Sequence, residues 1–99
     1  MGIFDAIKQT QSWNRTKVFL LKAKSFFRVN SLNQDQKQIL DFFDEFIDHN
    51  ELGLAYEQLD YLSETVDLPI EFWKEMLCAA KEMKLEEKIT RCETFLNYE

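Results

Sequence analysis

Carboxylates are the side chains in this sequence best placed to take part in chemistry, because they recur at helical spacing in two groups, at residues 41–48 and 57–64. These are Asp41, Asp44, Glu45, Asp48, Glu57, Asp60 and Glu64. Acid–base catalysis by two carboxyl groups requires surroundings, such as an apolar pocket, that separate their pKa values. No such pocket is evident, because the acids lie on helix faces opposite the apolar residues. Two interpretations stay open: a negative surface that captures a basic partner, or a charged surface that maintains solubility.

The remaining reactive side chains do not form a recognisable metal-binding or catalytic set. Metal sites in helical proteins combine His with Cys or Glu at close spacing, but His49 is the single histidine and has no Glu three residues before it. Cys78 falls on the Glu-rich side of one amphipathic segment, and Cys92 falls on the apolar side of the next. We therefore predict an exposed Cys78, a buried Cys92 and no disulfide between them. We also predict no metal, no cofactor and no enzymatic activity.

The elements that position these groups are predicted to be helices throughout. Apolar residues recur every three or four positions, and no stretch alternates with a period of two residues. With two Gly and one Pro, the chain has few of the turn residues that an all-β fold needs. The predicted helices span residues 12–29, 34–48, 51–66, 69–84 and 85 or 86 to 97, and Ile3, Phe4 and Ile7 are expected to add a helical turn before the first. Short connections favour one all-α domain over residues 1–99, a compact bundle of four to five mostly antiparallel helices.

Capping residues predict where several of these helices begin. Ser12 is the expected N-cap of the first helix. For the second helix, Ser31 with Gln34 has the spacing of a capping box, and Asn33 is a competing cap. Pro69 suits the first turn of the fourth helix and disfavours helix at the residue before it.

The apolar stripes predict which side chains form the core. The second helix is expected to bury Ile39, Leu40, Phe42, Phe43, Phe46 and Ile47. The third helix is expected to bury Leu52, Ala55, Tyr56, Leu59, Leu62 and Val66. The fourth helix is expected to bury Ile70, Trp73, Met76, Leu77, Ala80 and Met83.

The third helix also carries large apolar residues on its opposite face, where Leu54 and Tyr61 alternate with Glu57 and Glu64. These two side chains are larger and more apolar than a solvated face requires, so we expect them to anchor a partner. Gly53 lowers helix stability by up to about 1 kcal/mol relative to Ala. We therefore expect a neighbouring backbone, or a partner, to approach Gly53 closely.

The net charge of −6 is divided unevenly along the chain. Residues 1–40 carry seven Lys or Arg and two acids, whereas residues 41–99 carry five Lys or Arg and sixteen acids. The acidic part disfavours direct binding of nucleic acid and favours a basic protein partner. Lys17, Lys24 and Arg28 form a basic stripe on the first helix, which we expect to be solvated or to lie near acids of another helix.

The chain lacks the apolar segments that membrane proteins and exported proteins use. No apolar run reaches the length of about 18 residues that a transmembrane helix needs. The first residues lack the charged region and the apolar stretch of a signal peptide. Ala6 stands where a myristoylation signal has Ser or Thr. We therefore expect a cytoplasmic protein with no membrane partner.

Two segments of the chain resemble a known family. The run Asn-Glu-Leu-Gly-Leu-Ala-Tyr-Glu-Gln-Leu at residues 50–59 and the run Asp-Leu-Pro-Ile-Glu-Phe-Trp at residues 67–73 resemble small helical immunity proteins of bacterial toxin systems. These are the Maf-type and contact-dependent-inhibition immunity proteins, and the resemblance covers roughly residues 38–85. It implies a protein that binds a cognate toxin domain, often a nuclease, and blocks it. The alternative is a helical adaptor or regulatory module for another protein.

Overall fold

Five α-helices and one turn of 3-10 helix form the described part of the computed structural model. The structure describes the backbone of residues 3–97 and the side chains of residues 9–97, and this part of the chain contains no strand. The helices are α1 (Ile3–Lys24), α2 (Gln34–Asp48), α3 (Leu52–Ser63), α4 (Ile70–Glu82) and α5 (Glu86–Leu96), with the 3-10 turn at Val29–Ser31. This confirms the predicted all-α bundle, although residues 1–2 and 98–99 of the predicted domain lie outside the described residues.

Helix α1 occupies a different range from the predicted helix. It begins before Ser12, whose hydroxyl donates to Glu82 Oε2 on α4 at 2.8 Å instead of capping the helix. It ends at Lys24, because the next hydrogen bonds tighten to a three-residue spacing, including the bond from the Phe27 N–H to the Lys24 carbonyl. The tightened turn directs Phe27 into the core, where it is 5% exposed. The predicted boundaries of the first helix were therefore wrong at both ends.

The hairpin of α2 and α3 has well-defined ends. The side chain of Asn33 accepts a hydrogen bond from the Gln36 N–H at 2.8 Å, and the Gln36 side chain accepts one from the Asn33 N–H at 2.8 Å. This reciprocal capping box shows that Asn33, and not Ser31, caps α2. Between the helices, Asn50 adopts a φ of 56°, a left-handed conformation that Asn tolerates better than most residues.

Helices α3 and α4 supply the centre of the core. Helix α3 packs against α1 and α2, and α4 packs against α1 and α5. The predicted stripe of α3 is confirmed for five residues, all buried: Leu52, Ala55, Tyr56, Leu59 and Leu62. On α4, Phe72 and Ala79 are also fully buried, which the periodicity did not predict. Neighbours on both sides cover more of α4 than the single stripe of a surface helix.

The core face of α2 is narrower than predicted. Leu40, Phe43 and Ile47 are buried, whereas Phe42 is 42% exposed and was wrongly assigned to the core. Helix α2 makes its main packing contact with α3 alone, so only one strip of its surface is covered. Among the described residues, no helix is both long and apolar enough to cross a membrane.

Candidate protein-interaction site

The outer sides of α2 and α3 form one continuous surface. Near the start of α2, Gln36 Nε2 donates to Thr65 Oγ1, just beyond the end of α3, at 3.1 Å. At the opposite end of the hairpin, Phe46 of α2 and Leu54 of α3 line the same shallow depression of about 300 Å³. The two helices therefore run antiparallel and side by side, and Phe46 and Leu54 lie at their junction.

Large apolar side chains remain exposed on this surface. We define the hairpin face as the exposed apolar residues Phe42, Leu54 and Tyr61 together with the exposed acids Asp41, Glu45 and Asp48. Leu54 is 47% exposed and Tyr61 is 61% exposed, so their predicted outward orientation is confirmed. Phe42, absent from the predicted set, adds a third apolar side chain. A group of exposed apolar residues beside charged ones is a common composition for a protein-binding surface.

The acids of α2 differ in whether they have a partner within the protein. Asp44 accepts a hydrogen bond from Lys24 Nζ at 2.7 Å, which links α2 to α1 and places one residue of the basic stripe beside an acid, as expected. Asp41, Glu45 and Asp48 are exposed, and their carboxylates form no ion pair with any described side chain. These three carboxylates are thus available to a partner.

The acids of α3 instead contact α5. Lys88 Nζ lies 3.0 Å from Asp60 Oδ2 and 3.1 Å from Glu57 Oε1. Arg91 Nε lies 2.8 Å from Asp60 Oδ1, and its Nη2 lies 3.5 Å from Glu64 Oε1. We call this network of two cations and three acids the α5 clamp. It occupies the carboxylates that sequence reasoning assigned to partner binding on α3.

Asp60 is the clearest correction to the predicted site. It was assigned to an exposed acidic face, but only 7% of the residue is exposed, because its position on α3 faces α5. Burial alone would lower the pKa of Lys88, yet the hydrogen bonds to Asp60 and Glu57 outweigh burial and raise it. The hydrogen bond to Asp60 likewise raises the pKa of Arg91. Both cations therefore stay charged at neutral pH, and Asp60 has a structural role.

Lys88 and Arg91 were missing from the predicted site, although the sequence contains a signal for them. Their spacing of three residues on α5 matches the spacing of Glu57 and Asp60 on α3. Two helices with complementary charges at matching spacing can pair along their length. Whether two such rows of charged residues meet depends on the order of the helices in the bundle. The periodicity of a single helix does not reveal that order.

The two cysteines occupy opposite environments, as predicted. Cys78 is exposed and Cys92 is buried, and both are free thiols. The Cys92 Sγ lies 3.2 Å from the Tyr56 hydroxyl, and burial raises the pKa of both groups. A buried thiol with a raised pKa is a poor nucleophile. Within the described side chains, no group of three or more His, Cys, Asp and Glu is placed to hold a metal ion.

Gly53 lies on the exposed side of α3, beside Leu54. A Cβ atom added to Gly53 would meet nothing within 4 Å, so no neighbouring backbone of the described chain approaches it. The prediction of close approach from within the protein is therefore wrong. Close approach by a partner stays a prediction.

The polar groups of the hairpin face are exposed carboxylates, and they lie beside exposed apolar side chains. Comparisons of the chain with protein-family models, with curated proteins and with solved structures gave no match. The geometry and charge of the hairpin face are therefore the features of this protein that bear on its function.

Proposed function

We propose that this protein is an immunity protein that binds a basic bacterial toxin domain and blocks its working surface, with no catalytic step of its own. The observation that carries the proposal is the hairpin face, where three exposed apolar side chains adjoin three acids that have no ion-pair partner among the described residues. The resemblance of residues 50–59 and 67–73 to bacterial immunity proteins supports the same reading.

The hairpin face contains both kinds of residue that contribute to tight protein complexes, namely apolar anchors and charged residues. Aromatic anchors in the centre of an interface contribute most of the binding free energy, and charges at its rim accelerate association. Tyr61 and Phe42 are the exposed aromatic residues on this face. Asp41, Glu45 and Asp48 supply the negative field that attracts a basic partner.

A nuclease is the toxin class that this surface fits best. A domain that binds the phosphate backbone needs a positively charged cleft, since neutralisation of phosphates supplies much of its affinity. An acidic inhibitor surface can occupy such a cleft in place of the nucleic acid. Inhibition by occlusion then follows from binding alone, without a reaction on either protein.

Co-expression tests the proposal directly. The open reading frame immediately upstream of this gene would be induced in cells with and without this protein, and growth would be recorded. We expect growth to be restored and the two proteins to co-purify as a complex. A neighbouring gene without a toxin domain, or a toxin that still arrests growth and does not bind, would refute the proposal.

Leu54→Ala and Leu21→Ala provide a matched pair for the same assay. Both leucines are 47% exposed on helices, but Leu54 lies on the hairpin face and Leu21 lies on α1. We expect Leu54→Ala to weaken protection and Leu21→Ala to leave it unchanged. Equal effects would show that the partner docks elsewhere, or that each substitution acts through stability.

A further inference from the structure

The two edges of the hairpin face carry different net charge. On the α2 edge, defined as Asp41, Glu45 and Asp48, the acids have no cationic partner among the described side chains. On the α3 edge, Glu57 and Glu64 flank the buried Asp60, and Lys88 and Arg91 neutralise most of this charge. The acids without an ion-pair partner thus lie on the α2 edge, where Lys24 and Lys37 line the same depression as Asp41 and Asp44.

We infer that the partner presents a basic amphipathic helix whose cations lie along the α2 edge, and that Lys88 and Arg91 determine this placement by occupying the carboxylates of α3. The inference depends on the proposed function in one respect, namely that the hairpin face is the binding surface. Beyond the proposed function, the inference states that the contacting segment of the partner is a basic amphipathic helix and that this helix prefers the α2 edge. It also assigns the control of this preference to Lys88 and Arg91.

The spacing of the α2 edge is compatible with a helix as the occupant. Asp41, Glu45 and Asp48 follow one another at intervals of four and three residues, so they lie about one helical turn, or roughly 5 Å, apart along α2. Lys or Arg residues at the same intervals on a partner helix would align with them. The apolar side of that helix would then cover Phe42, Leu54 and Tyr61, as amphipathic helices do in apolar grooves.

The α5 clamp discourages a cation from approaching the α3 edge for two reasons. A carboxylate that already accepts hydrogen bonds from Lys88 or Arg91 gains little from another cation, and the two cations repel the newcomer. Proteins often favour one binding mode by combining attractive contacts in that mode with repulsive contacts in the alternative mode.

Aromatic contacts hold the clamp in place. Arg91 lies over the Trp73 ring at 5.6 Å and over the Phe95 ring at 5.2 Å, and Lys88 Nζ lies 6.0 Å from the centre of the Tyr56 ring. Cations at these distances from ring centres are attracted to the rings. These contacts favour the observed positions of Lys88 and Arg91, beside Glu57 and Glu64.

Zero-length crosslinking tests the preferred edge. The probe is a synthetic helical peptide with leucines along one face and a row of lysines on each flank, so that it can reach both edges. Carbodiimide would couple its lysines to the carboxylates they contact, and the coupled sites would be identified by mass spectrometry. We expect coupling to Asp41, Glu45 and Asp48. Predominant or equal coupling to Glu57 and Glu64, or no coupling to the hairpin face, would overturn the inference.

Two double variants of equal charge provide the matched control. Asp41→Asn with Glu45→Gln, and Glu57→Gln with Glu64→Gln, each change the net charge by +2 at exposed positions. We expect the first pair to weaken peptide binding roughly tenfold, since each lost ion pair of this exposed kind contributes up to about 1 kcal/mol. The second pair should change binding less than about threefold. Equal losses would show that only net charge matters, which contradicts the inference.

Lys88→Gln gives a gain-of-contact test. Loss of this cation frees the Glu57 carboxylate while Arg91 still holds Asp60, so crosslinking should extend to Glu57. Unchanged coupling in a variant that keeps its helical circular dichroism would overturn the assigned role of Lys88. Growth protection without preference for the α2 edge would refute this inference alone, whereas edge preference without growth protection would refute the toxin assignment alone.

Discussion

The Nε atom of Arg91 lies 2.8 Å from Oδ1 of Asp60, and this contact joins α5 to α3 at the margin of the core. The Asp60 side chain is only 10% exposed, whereas that of Arg91 is 33% exposed. Lys88 binds the second carboxylate oxygen at 3.0 Å. Asp60 thus contacts two cations of the last helix, whereas Asp41, Glu45 and Asp48 form no ion pair with any described side chain.

Asp60→Ala is expected to lower the free energy of unfolding by roughly 2 kcal/mol, because it removes two charge-assisted hydrogen bonds at a buried position. The loss is smaller than for a fully buried ion pair, since Lys88 and Arg91 can turn toward water. Urea unfolding followed by far-UV circular dichroism measures the change. Glu64→Ala is the control, because its carboxylate is 63% exposed and 3.5 Å from Arg91, and we expect a change below about 0.5 kcal/mol. Equal effects of the two substitutions would contradict the structural role of Asp60.

Stability should fall as the pH rises above about 8.5, where an unfolded thiol ionises. Burial raises the pKa of Cys92, so the folded state keeps a proton that the unfolded state loses, and alkaline pH favours unfolding. Measurements at about pH 7.5 and about pH 9.5, on either side of the pKa of an unfolded thiol, isolate this contribution. Cys92→Ala should remove that part of the pH dependence, although it lowers stability at both pH values. Cys78→Ala, at an exposed cysteine, is the matched control, and denaturant midpoints at the two pH values measure both variants. A wild-type pH dependence in Cys92→Ala would contradict the assignment.

Gly53→Ala is expected to raise the free energy of unfolding by up to about 1 kcal/mol, because Ala favours helix and its Cβ meets nothing within 4 Å. Thermal and urea unfolding measure the gain, and a loss of stability would show a constraint at Gly53 that the structure does not contain. The same variant should bind the toxin domain more weakly if the partner backbone approaches Gly53. Unchanged affinity would place Gly53 outside the interface.

Much of the fold follows from the sequence, because a period near 3.6 residues and short connections leave few alternatives to a helical bundle. The same wheel positions correctly placed Cys92 inside and Cys78, Leu54 and Tyr61 outside. Such predictions succeed where one helix face is covered by the core and the opposite face by water.

The failed predictions concern residues at the flanks of helices, where the neighbouring helix decides. Asp60 lies on the side of α3 that meets α5, so an acid that looks solvated in the sequence is buried. Phe42 lies beyond the strip of α2 that α3 covers, so an apolar residue that looks buried is exposed. Phe72 is buried because α4 has neighbours on two sides. The order of helices in the bundle decides which flank of each helix is buried. The residue pattern within one helix does not reveal that order.

The kinetics of Tyr61→Ala binding to the toxin domain test the central claim most directly, since Tyr61 is the most exposed large apolar side chain on the hairpin face. An anchor acts after docking, so dissociation should accelerate about thirtyfold, which corresponds to a loss of roughly 2 kcal/mol, while association stays nearly constant. Leu21→Ala on α1 should dissociate at the wild-type rate. Surface plasmon resonance with immobilised toxin domain measures both rates. Wild-type dissociation of Tyr61→Ala together with faster dissociation of Leu21→Ala would contradict the account, because the partner would then dock on α1 and not on the hairpin face.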